Sequence, residues 1–172
     1  MRASPEITLS AGAMLASLVT RIDHIAVAVT NLDEAIHWYT LALGFKLIEE
    51  RTTEGAHTAM RSAVLSAGQA IIVLIQGLSP QSQVSRFIER YGPGVQHVAL
   101  EVTNIEQAIK RVNTSGGDCD TTLIEGEGIR QTFLRRDEGS GVRVELVERR
   151  GGTFSDTTVS RLFREFEAKD LV

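Results

Sequence analysis

The sequence predicts an α+β fold in which two repeated βαβββ units form one open, eight-stranded, barrel-like sheet, followed by a C-terminal helix. The first observation is an internal repeat: residues 24–39 read HIAVAVTNLDEAIHWY and residues 97–112 read HVALEVTNIEQAIKRV. Seven of these sixteen positions are identical at an offset of 73 residues. The second observation is that a strand-like run leads into a helix-like run in each copy, and strand-length apolar runs follow both. Such a repeat indicates a duplicated supersecondary unit.

The composition is typical of a soluble globular domain. The 172 residues are 42% hydrophobic and 23% charged, and the formal net charge of −4 excludes the basic face that nucleic-acid binding requires. No apolar run approaches the length of a membrane span. The one cysteine, Cys119, cannot form an internal disulfide, so we expect a cytoplasmic protein. We expect residues 1–20 to form an N-terminal arm and residues 21–172 a single domain, with repeat units at 21–77 and 94–150.

The first unit is predicted to contain a strand, a helix and three further strands. In the strand Ile22–Val29 branched side chains alternate with small ones, apart from His24 on the small face. Asn31 is expected to cap the helix, with Glu34 at the capping-box position and Gly44 just past the end. Three apolar runs rich in branched residues then favour strands: Phe45–Glu49, Ala59–Ser66 and Ile71–Gln76.

The second unit repeats this order after a polar connection. The connection, residues 77–93, contains glycines and prolines and is predicted to hold a short helix over Val84–Tyr91. Asn104 is expected to cap the next helix and Gly116-Gly117 to end it. A C-terminal helix is predicted at residues 159–168, where apolar residues recur at helical spacing. The predicted strands of this unit are Val95–Val102, Cys119–Ile124, Arg130–Arg135 and Val142–Val147.

Three residues are candidates for a metal site: His24, His97 and Glu145. The two histidines occupy the same place in the two opening strands, on the face opposite the helix side, so they should converge inside the barrel. Glu145 lies in the middle of the last strand, where a buried carboxylate costs on the order of several kcal/mol unless it is paired or bound to a cation. A lone strand histidine is usually a core or rim residue, but the repeat and the inward carboxylate together favour a metal. Two imidazoles and one carboxylate form the facial triad of non-haem Fe(II) enzymes, which leaves three coordination positions open.

Other polar residues are weaker candidates. His37 is expected on the surface of the first helix, and His57 in a polar loop. Glu101 shares the face of His97 but falls near the strand end, where we expect a charge at the rim of the barrel.

Several motifs resemble the vicinal oxygen chelate superfamily, which includes glyoxalases, epimerases, extradiol dioxygenases and bleomycin-resistance proteins. They include DHIAVAV and NLDEAIHWY in the first unit and QHVALEV, NIEQAI and VELVE in the second. Within this superfamily the chain is most similar to the C-terminal, catalytic barrel of the 4-hydroxyphenylpyruvate dioxygenases, through AMRSAVL, GPGVQHVALEV, VELVERR and RLFREFEA. The resemblance covers residues 22–168.

The resemblance implies that His24, His97 and Glu145 are iron ligands. The implied cofactor is Fe(II), although another divalent metal would suit the same residues. Many epimerases and glyoxalases of the superfamily have a fourth protein ligand in the last strand of the first unit. The corresponding residue here is Val73, which cannot bind a metal, and this favours the three-ligand, oxygen-activating branch.

The resemblance also implies a substrate site. The implied substrate-binding residues are Ser62, Gln131, Phe133, Phe154, Val159 and Phe163. Ser62 and Gln131 correspond to polar residues around the substrate, and Phe154 to an aromatic residue that precedes a gating helix. Val159 stands where that helix has a phenylalanine, and Gly77 stands where the dioxygenases have a substrate-orienting asparagine. The substrate therefore need not be 4-hydroxyphenylpyruvate.

These features predict a single-domain Fe(II)-dependent dioxygenase that acts on a small 2-oxo acid or a similar metal-chelating substrate, with dioxygen as the second substrate. One alternative is a metal-dependent epimerase or lyase of the same superfamily, which stabilises an enediolate without consuming oxygen. Another is a ligand-sequestering protein of the resistance type, and the inward His–His–Glu set counts against it. A homodimer is one expected arrangement, because the sequence leaves open whether the two units pair within one chain or swap between chains. No nucleic-acid or membrane partner is expected.

Overall fold

The computed structural model describes residues 14–172, so residues 1–13 of the predicted N-terminal arm lie outside the described part. A 3-10 turn at Leu15–Leu18 leads directly into the first strand. The first unit consists of β1 (Val19–Ala28), α1 (Leu32–Leu41), β2 (Lys46–Glu54), β3 (Ala59–Ala67) and β4 (Ala70–Gly77). The connecting helix is α2 (Gln83–Tyr91). The rest of the chain forms β5 (Gly94–Val102), α3 (Ile105–Thr114), β6 (Ile124–Gly126), β7 (Ile129–Phe133), β8 (Arg143–Arg149) and α4 (Asp156–Ala168).

The eight strands form one curled sheet with the order β2-β3-β4-β1-β5-β8-β7-β6. Counted from each edge to the centre, the two halves of this order contain equivalent strands of the two units. In each half the opening strand is parallel to the last strand of its own unit, and the remaining neighbours are antiparallel. This architecture confirms the predicted α+β fold with a curled eight-stranded sheet and a C-terminal helix. Within residues 14–172 no helix is long and apolar enough to cross a membrane.

The two units meet where β1 pairs antiparallel with β5. The register places His24 opposite Ala99 and Ala26 opposite His97. Residues that differ by the repeat offset of 73 therefore exchange places across this pairing, so a local twofold axis passes between the two strands. Because side chains alternate between the faces of a sheet, His24 and His97 are diagonal neighbours on one face.

Both units begin their helix with the same hydrogen bonds. The side-chain oxygens of Asn31 and Asn104 accept a backbone N–H from three residues further along, as the sequence predicted for the two caps. The first helical N–H of each unit donates to a side chain of that unit's last strand, Gln76 in β4 or Glu148 in β8. The free N–H groups at each helix start are thereby satisfied, and the helix is fixed to the strand that closes its unit.

The helices α1 and α3 cover one face of the sheet with two separate apolar clusters. Leu32 of α1 packs with Leu74 of β4, and Ile105 of α3 packs with Leu146 of β8; all four side chains are fully buried. Burial of a leucine or isoleucine side chain contributes roughly 1.5–3 kcal/mol. Because these clusters hold the helices on the outer face, the opposite face of the sheet is left for a cavity.

The predicted strand at Cys119–Ile124 is wrong. This segment makes a single isolated bridge, from Cys119 to Leu134, and the strand β6 begins only at Ile124. The reason is that a side chain takes the place of a backbone acceptor. The hydroxyl oxygen of Thr121 accepts the backbone N–H of Phe133 at 2.8 Å. A backbone N–H occupied in this way cannot continue a regular strand pairing.

Other element boundaries also differ from the prediction, and two of these differences bear on the site. The strand β2 continues to Glu54, five residues beyond the predicted end at Glu49, because it pairs along its whole length with β3. The C-terminal helix begins at Asp156 and not at residue 159. Ser155 and Thr158 form a reciprocal capping box that starts the helix earlier.

The helix α4 lies against both units. The carboxylate of Glu167 accepts backbone N–H groups from residues 56–58, in the loop between β2 and β3. A side chain at Gly55 would collide with this carboxylate. On the other side, Glu165 accepts the backbone N–H and the hydroxyl of Thr122. The helix is therefore attached to the first unit by one carboxylate and to the second by another.

We predict that Glu167→Ala will lower the free energy of unfolding by about 1–3 kcal/mol, because hydrogen bonds to a charged group contribute about this much. Chemical denaturation followed by circular dichroism measures the change. Arg164→Ala, at an exposed position of the same helix, is the matched control and should change the stability by less than about 0.5 kcal/mol. Equal denaturation midpoints for the two variants would contradict the assigned role of Glu167.

The contribution of Glu167 should also depend on pH. Burial opposes ionisation, but hydrogen bonds from Thr58, Ala56 and His57 outweigh it and lower the pKa of Glu167 below its ordinary value of 4.5. Because the folded-state pKa is the lower one, the stabilisation is fully present above pH 4.5 and is lost as the pH falls through the folded-state value. The stability difference between the parent protein and Glu167→Ala should shrink in acid. A difference that stays constant down to about pH 3 would show that the charge does not matter.

Candidate metal centre

His24, His97 and Glu145 come together on the inner face of the sheet. The Nε2 atoms of the two histidines are 3.3 Å apart, and Glu145 Oε2 lies 3.3 Å from the Nε2 of His24 and 3.4 Å from that of His97. The histidines are diagonal neighbours across β1 and β5, and the register of β5 with β8 places Glu145 beside Ala99. Within residues 14–172 this is the one group of three ligand-type side chains close enough to share an ion.

This arrangement fits a single divalent cation. Ligand bonds of roughly 2.1 Å at right angles would separate neighbouring ligand atoms by roughly 3 Å, close to the distances between these three atoms. Glu145 is 1% exposed, and its Oε1 has no hydrogen-bond partner. A buried carboxylate oxygen without a partner is costly, and a cation would satisfy it. The donor set is that of the facial triad, which several divalent first-row ions accept.

Each histidine is oriented by the side chain of the residue that precedes it. The Nδ1 of His24 donates to Asp23 Oδ1 at 2.8 Å, and the Nδ1 of His97 donates to the Oε1 of Gln96. Because Nδ1 faces an oxygen acceptor in both rings, Nε2 is the nitrogen left to bind a metal, and both Nε2 atoms point to Glu145. Asp23 and Gln96 are equivalent positions of the repeat, so His24 has a charged partner and His97 a neutral one.

Asp23 is in turn held by Arg149 of β8. Arg149 donates from Nε to Oδ2 at 2.6 Å and from Nη2 to Oδ1 at 2.9 Å. The same guanidinium donates to the carbonyl oxygen of Gly152 and packs over the ring of Phe154 at 5.1 Å. The ring of Phe154 meets the ring of His24 edge to face at 5.5 Å. The histidine of the first unit is therefore fixed by the last strand of the second unit and by the segment that leads into α4.

Burial and neighbouring charges give the three residues different protonation states. Burial opposes the charged form of His24, but hydrogen bonds to Asp23 and Glu145 outweigh it and raise its pKa to about 9. Burial lowers the pKa of His97. Burial also opposes ionisation of Glu145, but hydrogen bonds from the two histidines lower its pKa. Since a ligand imidazole must be neutral, a metal ion would take the place of the proton on His24.

The three residues form part of the wall of a cavity of about 130 Å³ that α4 helps to close. All six residues predicted to bind substrate line this cavity: Ser62, Gln131, Phe133, Phe154, Val159 and Phe163. The other lining residues are mostly apolar and include Val73. A largely apolar cavity with a few polar groups directed at one point is typical of a small-molecule site.

Gln131 is the most informative of the polar lining residues. It is 1% exposed, and neither atom of its side-chain amide has a hydrogen-bond partner within the described chain. Buried amide groups are nearly always hydrogen-bonded, so a partner inside the cavity is expected. Ser62, on β3, is buried in the opposite part of the wall. These two residues provide hydrogen-bonding groups on either side of the cavity.

Several polar residues of this wall were not predicted from the sequence. They are Glu49, Arg51, Gln83 and Gln96. Arg51 forms an ion pair with Asp156 at 2.8 Å and donates to the carbonyl oxygen of Phe154 at 3.1 Å, so it anchors the start of α4. It was missed because the predicted strand ended too early. Gln96 could have been found, since it is the repeat equivalent of Asp23.

The remaining candidates lie outside the centre. His37 and His57 are exposed, as expected. Glu101 pairs with Arg21 at 2.6 Å and does not join the triad. At Gly77 an added side chain would collide with serine side chains at the start of α2, so the space of the family's asparagine is filled by the neighbouring helix.

Comparison with known sequences gives a family and several relatives. The chain matches the Glyoxalase/Bleomycin resistance protein/Dioxygenase superfamily over residues 21–146. It is 28% identical over 148 residues to a 4-hydroxyphenylpyruvate dioxygenase from Coccidioides posadasii. That alignment covers 76% of this chain but 37% of the dioxygenase, so the chain spans little more than a third of that relative.

Two of the similar solved structures are those of enzymes. Methylmalonyl-CoA epimerase from Mycobacterium tuberculosis is 31% identical with a TM-score of 0.67, and the match covers 83% of this chain and 93% of the epimerase. A variant of 4-hydroxymandelate synthase from Streptomyces coelicolor has a TM-score of 0.78 at 20% identity, covering 88% of this chain and 55% of the synthase, which is a likeness of fold. The match to the family model and the curled sheet agree: the chain belongs to the glyoxalase/bleomycin resistance protein/dioxygenase superfamily.

Proposed function

We propose that this protein is a non-haem Fe(II) dioxygenase that acts on a small 2-oxo acid or a similarly chelating substrate. The observation that carries the proposal is a set of three ligand-type residues in the wall of a mainly apolar cavity. A facial triad leaves three coordination positions for substrate oxygens and dioxygen. When bound, the iron would supply activation of dioxygen and of the chelated substrate.

The strand registers support a three-ligand site. Glu145 is opposite Ala99, and Val73 is opposite Ala26; the two alanines are equivalent positions of the repeat. Val73 therefore occupies in the first unit the place that Glu145 has in the second. A carboxylate at residue 73 would be a fourth ligand, and a valine leaves that coordination position to small molecules.

The chain's own residues have three tasks in this proposal. The triad holds the metal, and Asp23 with Gln96 keeps both Nε2 atoms directed at it. Gln131 and Ser62 offer hydrogen bonds to the substrate from β7 and β3. Phe154 and Phe163 line the cavity on the side of α4, and by excluding water they would limit side reactions at the site.

A metal-dependent epimerase is the second candidate. It is supported by the 31% identity to methylmalonyl-CoA epimerase and by Glu49, the one carboxylate besides Glu145 among the residues that line the cavity. Its side chain is 45% exposed and pairs with Arg51, so it could exchange a proton between substrate and solvent. A resistance-type binding protein is disfavoured by the three converging ligand residues. The expected homodimer and the cytoplasmic location stay predictions.

One pair of measurements distinguishes the two enzyme classes. Protein purified without oxygen and loaded with Fe(II) is given a panel of 2-oxo acids, and oxygen uptake is recorded. The same protein in D₂O under nitrogen is given acids with an acidic α-hydrogen, and hydrogen exchange is followed by NMR. Oxygen uptake that depends on substrate supports the dioxygenase. Exchange without oxygen uptake would overturn it in favour of the epimerase.

We predict that alanine substitution of His24, His97 or Glu145, one at a time, will reduce bound metal from one ion per chain to almost none. Each change removes one of three ligands, while circular dichroism should report an intact fold. Metal content is measured by plasma mass spectrometry after loading and desalting. His37→Ala, an exposed histidine outside the site, is the matched control and should keep full metal content. Full iron occupancy in His24→Ala would disprove the triad.

A second prediction concerns Val73, which pairs with Ala26 across β4 and β1. Val73→Glu should raise metal affinity roughly tenfold or more, because it adds a ligand, and should lower oxygen uptake, because it occupies an open position. Competition with a chromogenic chelator measures the affinity. Val73→Leu keeps the position apolar and should leave metal affinity unchanged. If Val73→Glu binds metal no more tightly than Val73→Leu, residue 73 does not face the metal.

A further inference from the structure

The outer surface of α1 is apolar, whereas the equivalent surface of α3 is polar. On the exposed side of α1, Trp38 and Leu41 follow Glu34 at helical spacing, and their side chains are 54% and 72% exposed. The repeat offset of 73 residues places Arg111 and Thr114 of α3 at these two positions. Because both helices pack on the sheet in the same way, covering the sheet does not account for the apolar residues on the outside of α1.

The apolar surface continues from the end of α1 into β2. The backbone N–H of Phe45 donates to the carbonyl oxygen of Tyr39 at 3.1 Å, which turns the chain back beside the helix. Five of the ten large hydrophobic side chains that are exposed in residues 14–172 lie within residues 38–48. These five form what we call the outer apolar surface: Trp38, Leu41, Leu43, Leu47 and Ile48. An exposed apolar surface of this extent marks an interaction site.

The two ends of the outer apolar surface carry opposite charges. Glu34 in the first turn of α1 and Lys46 at the start of β2 form no ion pair within residues 14–172, whereas Asp33 beside Glu34 is paired with Arg61. A twofold axis through the middle of the surface would bring Glu34 of one copy towards Lys46 of the other. The surface is therefore complementary to itself in charge as well as in apolar character.

The size of the outer apolar surface also suits a second copy. Its five side chains expose on the order of 500 Å² of apolar area, and with the charged ends this approaches the roughly 800 Å² that each partner contributes to a standard interface. An apolar centre that contains a tryptophan, with a charged rim, is typical of such interfaces. The strand β2 is at one edge of the sheet, so within the described chain no further strand lies beside it.

We propose that the outer apolar surface joins two copies of this chain in a twofold dimer in which the two α1 helices are antiparallel. Trp38 and Leu41 of both copies would lie at its centre, and Glu34 of each copy would pair with Lys46 of the other. The metal centre is on the inner face of the sheet, so the dimer leaves both cavities unobstructed and does not depend on the proposed activity.

Trp38 is the only tryptophan of the chain, so its fluorescence reports directly on this surface. The full chain is followed by sedimentation velocity and by tryptophan emission over a wide range of concentration. Emission should move to shorter wavelengths as the dimer forms, with the same midpoint as the change in mass. A species of monomer mass at all concentrations would overturn the proposal. If its emission were that of a buried tryptophan, another part of the same chain would cover the surface.

A pair of repeat-equivalent variants tests which surface is used. Leu41→Lys should weaken the dimer at least tenfold, because it places two like charges near the twofold axis. The exposure of Leu41 means that circular dichroism should report an intact fold. Thr114→Lys makes a change to the same residue at the equivalent position of α3 and should dimerise as the parent does. A dimer that is equally stable in both variants would be joined by another surface and would overturn the proposal.

A charge exchange tests the antiparallel arrangement. Glu34→Lys and Lys46→Glu should each weaken the dimer several-fold, because each brings like charges together across the interface. The double variant restores opposite charges and should recover most of the parent affinity, an effect that separate roles of the two residues within one chain would not produce. If the double variant is as weak as the single ones, the α1 helices are not antiparallel and the arrangement is wrong.

Discussion

The antiparallel pairing of β1 with β5 is the interaction on which the rest of this structure depends. It joins the two copies of the repeat, and its register decides whether their histidines meet. A shift of one residue would turn His24 to the outer face of the sheet, where α1 and α3 pack. The pairing is regular from His24 to Ala26 and is interrupted on both sides of this stretch by register shifts. Bulges of this kind are common beside functional sites, because they aim particular side chains.

Differences between the two repeats explain the residues of the candidate metal centre. Perfect symmetry would give two histidines and two equivalent residues from the last strands. The residues at these last-strand positions are Val73 and Glu145, so the chain keeps three ligand-type residues of four. The partners of the histidines differ in the same manner, since Asp23 is charged and Gln96 is neutral. The duplicated backbone supplies the geometry, and single substitutions in one copy supply the chemistry.

Sequence reasoning could predict the repeat, the sheet and the convergence of the triad, because these follow from short-range patterns and from the period of two in a strand. It failed where one distant side chain overrides a pattern. Thr121 interrupts the predicted strand by bonding to Phe133, and no local signal marks that pairing. No local pattern predicts that the charged side chains of Arg51 and Arg143 are largely enclosed. Only the packing of α4, with its long-range contacts, accounts for their burial.

The contacts around His24 connect the segment before α4, which lines the cavity, with the orientation of this candidate metal ligand. They run from His24 to Asp23, from Asp23 to Arg149, from Arg149 to Phe154, and from Phe154 back to His24. Arg149 also bonds to Gly152, so displacement of residues 152–154 would remove two of its partners at once. Asp23 would then lose part of the support that fixes the His24 ring. Because second neighbours of a metal ligand set its orientation and basicity, the segment before α4 is part of the candidate metal centre as well as of the cavity wall.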